Sequence, residues 1–524
     1  MYDYIIIGAG SAGCALAARL TEDPATNVLL LEAGGEDRKM EVRIPAAFGK
    51  LFKTAVDWAY ETEPQAHLND HPSFWPRGRM LGGSSSMNAM MYVRGHRSDY
   101  DGWAAEGADG WGYDDVLPYF KRSEKREGSA SEYHGVDGPT NIAEPRSPNP
   151  TTRAFVDACE EAGIPRNHDI NGATQDGVSL TPVYQKRGRR VSSADAFLRP
   201  ALKRSNLTVR TNALATKVVF EDRRAVGVEF TVDRVQHEER AAREIILSGG
   251  SVNSPQLLML SGVGPADQLS QFGIPVVADL PEVGENLQDH PAFATTYECP
   301  QPVTLATAES IPNLLRFLAL GKGPLTSNVG EAAAFVRIDP NAQAPDLEII
   351  LAPVFFMQHA FENPEGHGIT IASVLLRPKS RGSIRLRSTD PNEAPIIRAN
   401  YFTEEADLQM LVEGVKRSRE IARTNALAPY RGREVWPGEE RQTDKEIADF
   451  IVDHFQSLYH PVGTCRMGNN ESAVVDPELR VRGVQGLRVV DASVMPSIIG
   501  GHTNAPTVMI AERAADLIKA ASYG

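Results

Sequence analysis

The first thirty residues set long apolar runs against glycines. "YDYIIIGAGSAGCALAARLTED" places a β-branched apolar run directly before Gly8, then repeats apolar residues at Ala12, Leu16, Ala17 and Leu20, the spacing of one helix face. The pattern predicts strand, tight turn, helix. "NVLLLEAGG" follows and predicts a second buried strand ending at Glu32. Far downstream, "EEADLQMLVEGVKRSREIAR" (404–423) has the helical period at Leu408, Leu411, Val412 and Val415, and "NAPTVMIAERAADLI" (504–518) predicts a helix with Pro506 near its start and Ile510, Ala514 and Leu517 on its apolar face. "ITIASVLLRPKSRGSIRLRS" (369–388) reads as two strands paired antiparallel around a Pro, Gly and Ser turn. The acidic start of "GEERQTDKEIADFIVDHF" reads as a solvated helix face, and no repeat of solenoid period is present.

At 524 residues the chain exceeds what a single growing core serves, which predicts two domains. With 42% hydrophobic and 23% charged residues it has the composition of an ordinary globular protein. Its formal charge of -14 repels a phosphate backbone, so nucleic acid is excluded as the main partner, and "QKRGRR" (185–190) reads as a solvated basic loop. Four scattered cysteines, Cys14, Cys159, Cys299 and Cys465, lack metal-ligand or disulfide spacing, so no metal is expected and a reducing compartment is. Cys465 reads as a buried structural thiol. The chain shows no cleavable leader pattern and no membrane-spanning run, which predicts a cytoplasmic protein and leaves peripheral membrane contact open.

Gly8, Gly10 and Gly13 have the spacing of a dinucleotide fingerprint. Gly8 permits the turn, Gly10 lets backbone approach a pyrophosphate, and Gly13 lets the helix pack closely on the strand. The helix N-terminus then offers N–H groups to phosphate. Glu32, 19 residues after Gly13, is placed for a ribose hydroxyl. These features alone do not separate FAD from NAD. "RGRMLGGSSSMNAMMYVRGHRSDYDGW" (77–103) gathers glycines, serines and Asn88 into a second loop suited to a polar or anionic ligand. Near the other end, "YHPVGTCRMG" (459–468) sets His460 before a proline. By itself it reads equally as a turn residue or a catalytic imidazole.

The 77–103 stretch, "GSVNSPQLLMLSGVG" (250–264), "LPEVGENLQDHP" (280–291) and the closing segment 487–518 together resemble the glucose-methanol-choline oxidoreductase family in sequence and order. The resemblance implies an α/β fold, with a Rossmann-type FAD-binding domain and a substrate domain of antiparallel sheet and flanking helices. It divides the chain into FAD-binding segments 1–155, 200–295 and 458–524 and substrate segments 156–199 and 296–457. It implies FAD as cofactor, with Gly8, Gly10, Gly13 and Glu32 on the ADP half. Arg79, Gly82, Gly83, Asn88, Ala89 and Met90 are implied along the pyrophosphate and flavin, the Val218 backbone at adenine, and Asp491 near the ribityl chain. Met87 stands where some relatives attach FAD through a histidine, which implies non-covalent FAD here.

The implied reaction is oxidation of a primary alcohol to an aldehyde by hydride transfer to flavin N5, with His460 as proton acceptor and Asn504 as hydrogen-bond partner, 44 residues apart. Electrons pass to O2 or an electron carrier. The helix after Asn504 is implied to stabilise negative charge on the reduced flavin. Register with "NAPT" assigns the second role to Asn504, and His502 is read as a supporting loop residue. Phe355, Phe356 and Met357 read equally as core or as the wall of an alkyl or aryl pocket. The same architecture also hosts hydroxynitrile lyases and light-driven fatty acid decarboxylases, which are the alternatives.

Overall fold

The structure, a computed structural model, describes residues 1–361 and 364–523. Two seven-stranded sheets organise it. In the first, strands Leu207–Arg210, Val28–Leu31, Tyr2–Ile7, Val235–Leu247 and Leu487–Val489 lie side by side, all parallel. Strand Val235–Leu247 shows why the sheet changes character. Its last residues, "IIL", are buried in the parallel core, while its exposed first half, "VQHEER", runs out to pair antiparallel with Arg224–Val232, itself paired to Ala213–Glu221. Segments from the start, middle and end of the chain thus share one sheet.

Helix Ser11–Leu20 follows the first strand as its periodicity predicts, and the C-terminal helix Asn504–Tyr523 packs against it. A fully buried carboxylate fastens the pair: Glu512 accepts from Arg19 (2.8 Å) and from Arg122 (2.7 Å). The carboxylate is buried but both guanidiniums are part-exposed, and either remains if the other is lost, so removing one arginine is expected to cost about 1–2 kcal/mol. At the opposite end of the two helices, Ser11 Oγ donates to Asn504 Oδ1 (2.7 Å), so the two N-termini meet.

The second sheet is antiparallel, in the order Glu434–Trp436, Pro291–Glu298, Gly368–Leu375, Leu347–Ala352, Ala332–Val336, Gly177–Leu180. Alternation sorts its two faces. Ile349, Leu351, Ile369 and Ile371 bury against Phe155 and Ile421 of helices Pro150–Glu161 and Glu405–Ala422. Each such side chain contributes roughly 1.5–3 kcal/mol. The opposite face carries small residues, Ala292, Ala294, Ala352 and Ala372, and looks into a cavity.

The predicted hairpin over 369–388 does not form. Strand Gly368–Leu375 is central, with both edges taken by Pro291–Glu298 and Leu347–Ala352, so the downstream run Ser383–Arg385 pairs with Ile396–Arg398 instead. The helices expected over 404–423 and from Asn504 are present. Helix Asp444–His454 buries Ile447 and Ile451, and its polar start is held by a capping box between Thr443 and Glu446.

Candidate active site

One cavity lies between the parallel sheet and the small-residue face of the antiparallel sheet. Its nucleotide-side wall is glycine. Gly8 has φ +101, and a Cβ there would fall 2.4 Å from the Ser248 carbonyl oxygen; a Cβ on Gly13 would stand 1.9 Å from the Gly8 carbonyl oxygen. The second glycine loop meets the first, since Gly83 (φ +52) would drive a Cβ to 2.7 Å from Gly10 Cα, and Gly82 N donates to Ala9 O (2.7 Å). No side chain caps helix Ser11–Leu20 and no acid occupies its first turn, so its leading N–H groups face the cavity with the positive end of the dipole. A channel in which glycines bring backbone close together and which ends on uncapped N–H groups fits a pyrophosphate.

Around that channel the expected residues take different stations. Glu32 lines the cavity and accepts from Ala9 N (2.9 Å) and Gly34 N (2.8 Å). Burial pushes its carboxyl up to about 7, against the pull of those two bonds and of Arg79. Asn88, Ala89 and Met90 line the wall, with Asn88 Oδ1 held by Arg190 (2.8 Å). Met87 also faces the cavity. Asp491 takes Ser254 Oγ (2.6 Å) and Gly250 N (2.9 Å), joining the C-terminal segment to the start of helix Gly250–Leu260. Gly13 and Gly82 lie behind the wall. Arg79 lies outside it, over the Trp58 ring at 4.7 Å. Val218 is buried with its N–H donated to Ser261 Oγ (2.8 Å), and Ala213, Leu214 and Ala215 of the same strand form the wall there.

His460, His502 and Asn504 share the other end of the cavity. The His460 loop is shaped by its neighbours. Tyr459 adopts φ +65, and the buried Asp289 carboxylate accepts His460 N (2.6 Å) through one oxygen and the Ser457 and Tyr401 hydroxyls through the other. Strand pairing of Gln456–Ser457 with Pro291–Ala292 brings His290 beside His460, and their Nδ1 atoms are 3.0 Å apart.

The proton positions in that pair follow from the far end. His290 Nε2 lies 3.2 Å from the Leu376 carbonyl oxygen, which accepts only, so Nε2 carries the hydrogen. Burial foremost, then the nearby His502, pushes the His290 imidazole down to about 3, so it stays neutral and its Nδ1 must accept. His460 Nδ1 therefore donates, leaving a lone pair on His460 Nε2. His502 stands edge-on to His460 (centroids 4.9 Å) and donates through Nε2 to the fully buried Glu348 (3.0 Å).

His460 is itself pushed well below the ordinary imidazole range, first by burial and then by His502, His290 and Arg77. A depressed value keeps the ring unprotonated above it, so proton-accepting capacity is lost only in acid. If His460 is the base, flavin reduction by alcohol should hold its rate over roughly pH 6 to 8 and fall only below that span. Stopped-flow rates across pH check this; an inflection at the ordinary imidazole value of about 6.5 would contradict it.

Sequence reading passed over His290, Asp289, Glu348, Ser11 and Arg77. The first two had a signal: "DHP" (289–291) repeats the His–Pro step of "YHP" (459–461), and the two segments are neighbours in the sheet. Of Phe355, Phe356 and Met357, only Phe356 reaches the cavity. Cys465 is fully buried with its thiol pushed far up by burial, next to Asp491.

A glycine-lined channel that fits a dinucleotide pyrophosphate and leads to a cluster of imidazoles under the antiparallel sheet has the form of a dinucleotide-dependent oxidoreductase. The comparisons agree. Family models described as GMC oxidoreductase match residues 2–292 and 378–511, and the chain belongs to that family. It is 44% identical to mitochondrial choline dehydrogenase of Homo sapiens, over 99% of this chain and 90% of that one. It is 45% identical to alcohol dehydrogenase [acceptor] of Pseudomonas putida, over 99% and 96%. A formate oxidase structure from Aspergillus oryzae, concerned with FAD modification, superposes with TM-score 0.94 at 29% identity, covering 100% of this chain and 98% of that one. The protein is an FAD-dependent enzyme acting on CH–OH donors. No helix among the described residues is long and apolar enough to cross a membrane.

Proposed function

We propose that this enzyme oxidises an uncharged primary alcohol to its aldehyde, with His460 as the proton acceptor. The observation that carries the reading is the hydrogen-bond chain from the Leu376 carbonyl through His290 to His460, which fixes the tautomer with a lone pair on Nε2. That nitrogen takes the hydroxyl proton as charge develops on oxygen. Ser11 holds Asn504 Oδ1, leaving the Nδ2–H2 group as the donor side of the amide for the same oxygen. FAD, when bound, would supply the two-electron acceptor for the carbinol hydride, with O2 or an electron carrier as the final acceptor. Gly8, Gly10, Glu32, Asn88, Ala89, Met90 and Asp491 hold it without a covalent bond, since the Met87 thioether has no nucleophilic nitrogen. Arg79, Gly82, Gly83 and the Val218 strand support that cradle. The N-terminus of helix Asn504–Tyr523 places a positive dipole end in the cavity. The segments around the antiparallel sheet serve as the substrate lid, and four buried free thiols suit a reducing compartment such as the cytoplasm.

The choline of the human relative's name does not suit this lid. A quaternary ammonium wants a carboxylate and an aromatic box. Among the described residues lining the cavity the carboxylates are Glu32 and Asp491, both bound by nucleotide-side backbone. Glu348 shares the sheet face but is covered by His502. Arg77, a permanent cation, lies in the wall beside His460. The wall does offer aromatic rings, Phe48, Phe52, Phe356 and Tyr459, and with Ala292, Ala294, Ala352, Ala372 and Ile350 they form an apolar surface for an alkyl or aryl chain; what it lacks is a free carboxylate to pair with a cation.

The test compares choline with its tert-butyl isostere, in which carbon replaces the quaternary nitrogen. The neutral alcohol should reduce the flavin anaerobically with an efficiency at least about 100-fold greater, on the order of 2.7 kcal/mol in transition-state binding. Equal or better reduction by choline would overturn the substrate assignment.

A further inference from the structure

Helix Ile311–Leu320, "IPNLLRFLAL", is a regular element with an irregular environment. Ser310 caps its start, Pro312 sits in its first turn, and Gly321 (φ +59) ends it. Yet only Phe317 is fully buried, packed with half-buried Leu314 on Ala47 and Leu325. Ile311, Leu315, Leu318 and Leu320 are 76%, 61%, 48% and 61% exposed, four of the ten large hydrophobic side chains exposed among the described residues. Ordinary surface scatter does not concentrate them on one ten-residue helix.

The charges around this helix are of one sign. Arg316 lies on it, Lys322 follows it, and the hairpin carrying Lys186, Arg187 and Arg189 presses against it: Arg189 Nη2 donates to Leu318 O (3.3 Å), and a Cβ on Gly188 would stand 2.4 Å from Gly321 O. All five cations are exposed, and among the described residues none forms an ion pair, although the chain carries a net charge of -14. The nearest acid in sequence, Glu309, is already taken by Lys50 (2.6 Å). An apolar ridge ringed by unpaired Lys and Arg matches a surface that is apolar inside and anionic outside.

We propose that this face docks the enzyme on an anionic lipid bilayer, the helix lying in the interface with its aliphatic side chains sunk roughly 5–10 Å and the basic ring among the headgroups. The helix lies on the bilayer rather than across it, being about 15 Å long. Its underside rests on segment Pro45–Leu51, whose Phe48 lines the alcohol cavity, so the docked face is one layer of residues from the active site.

The experiment is co-sedimentation of the holoenzyme with vesicles of phosphatidylcholine alone or mixed with phosphatidylglycerol, at low and high salt. The wild type should pellet with the mixed vesicles at low salt, and at least about tenfold less with neutral vesicles or in high salt. Leu315→Ser/Leu318→Ser and Arg187→Glu/Arg316→Glu should each lose about tenfold in vesicle affinity while keeping FAD and activity on a water-soluble alcohol, because these side chains face solvent. Failure of the wild type to pellet with anionic vesicles, or pelleting of both variants like the wild type, would overturn the proposal. So would a vesicle-free dimer in analytical ultracentrifugation that the leucine variant dissociates, which would assign the face to a second copy of the chain.

Discussion

His460→Ala should lower the rate constant for anaerobic flavin reduction by alcohol about 1000-fold and leave FAD bound. The size follows from what the imidazole does. It must accept a proton from an alcohol far weaker as an acid than itself, in a cavity where the ring is only partly exposed and hydrogen bonds to developing charge count most. Removing the ring also strands His290, whose Nδ1 then loses its donor, but that defect lies behind the cavity wall and should cost stability rather than cofactor. Flavin content and the visible spectrum separate the two effects. A variant that retains FAD and is reduced at near wild-type rates would remove His460 from the mechanism.

The second large effect is on the cradle. In Gly13→Ala the new methyl group would stand 1.9 Å from the Gly8 carbonyl oxygen, so helix Ser11–Leu20 must back away from the first strand. Overpacking of this kind typically costs about 1–3 kcal/mol. The displaced helix carries Ser11 and its uncapped N–H groups with it, so the same cost should appear as a roughly 10- to 100-fold loss of FAD affinity. Gly102→Ala is the control, because a Cβ there meets nothing within 4 Å and the residue lies inside helix Arg97–Ala105. It should keep its flavin and gain a few tenths to about 1 kcal/mol. Flavin retained on purification and thermal melting check both; wild-type FAD affinity in Gly13→Ala would show that the close approach of helix and strand does not matter for the nucleotide.

Local periodicity carried the elements whose partners are near in sequence or whose chemistry is stereotyped. Strand Tyr2–Ile7, helix Ser11–Leu20 and strand Val28–Leu31 could be read because glycine spacing and apolar runs constrain one another over thirty residues. The 369–388 hairpin was misread because local sequence cannot say that both edges of a strand are already occupied by strands far away in the chain. The cavity's histidines divide in the same way. His460 and Asn504 stood in recognisable segments, whereas His290 acquires its meaning only through a ring nitrogen 3.0 Å away on a residue 170 positions later. Glu348 sits in an otherwise apolar strand, where a lone acid predicts a buried partner, but nothing in the sequence names His502 as that partner.

The central claim is that this site removes a proton and a hydride from a carbinol. The most direct measurement is anaerobic titration of the holoenzyme with a neutral primary alcohol, following visible flavin absorption and product together. Complete bleaching with one aldehyde formed per flavin is the predicted result. A flavin that stays oxidised while aldehyde and cyanide are released from a cyanohydrin, or while hydrocarbon forms from a fatty acid under blue light, would contradict it.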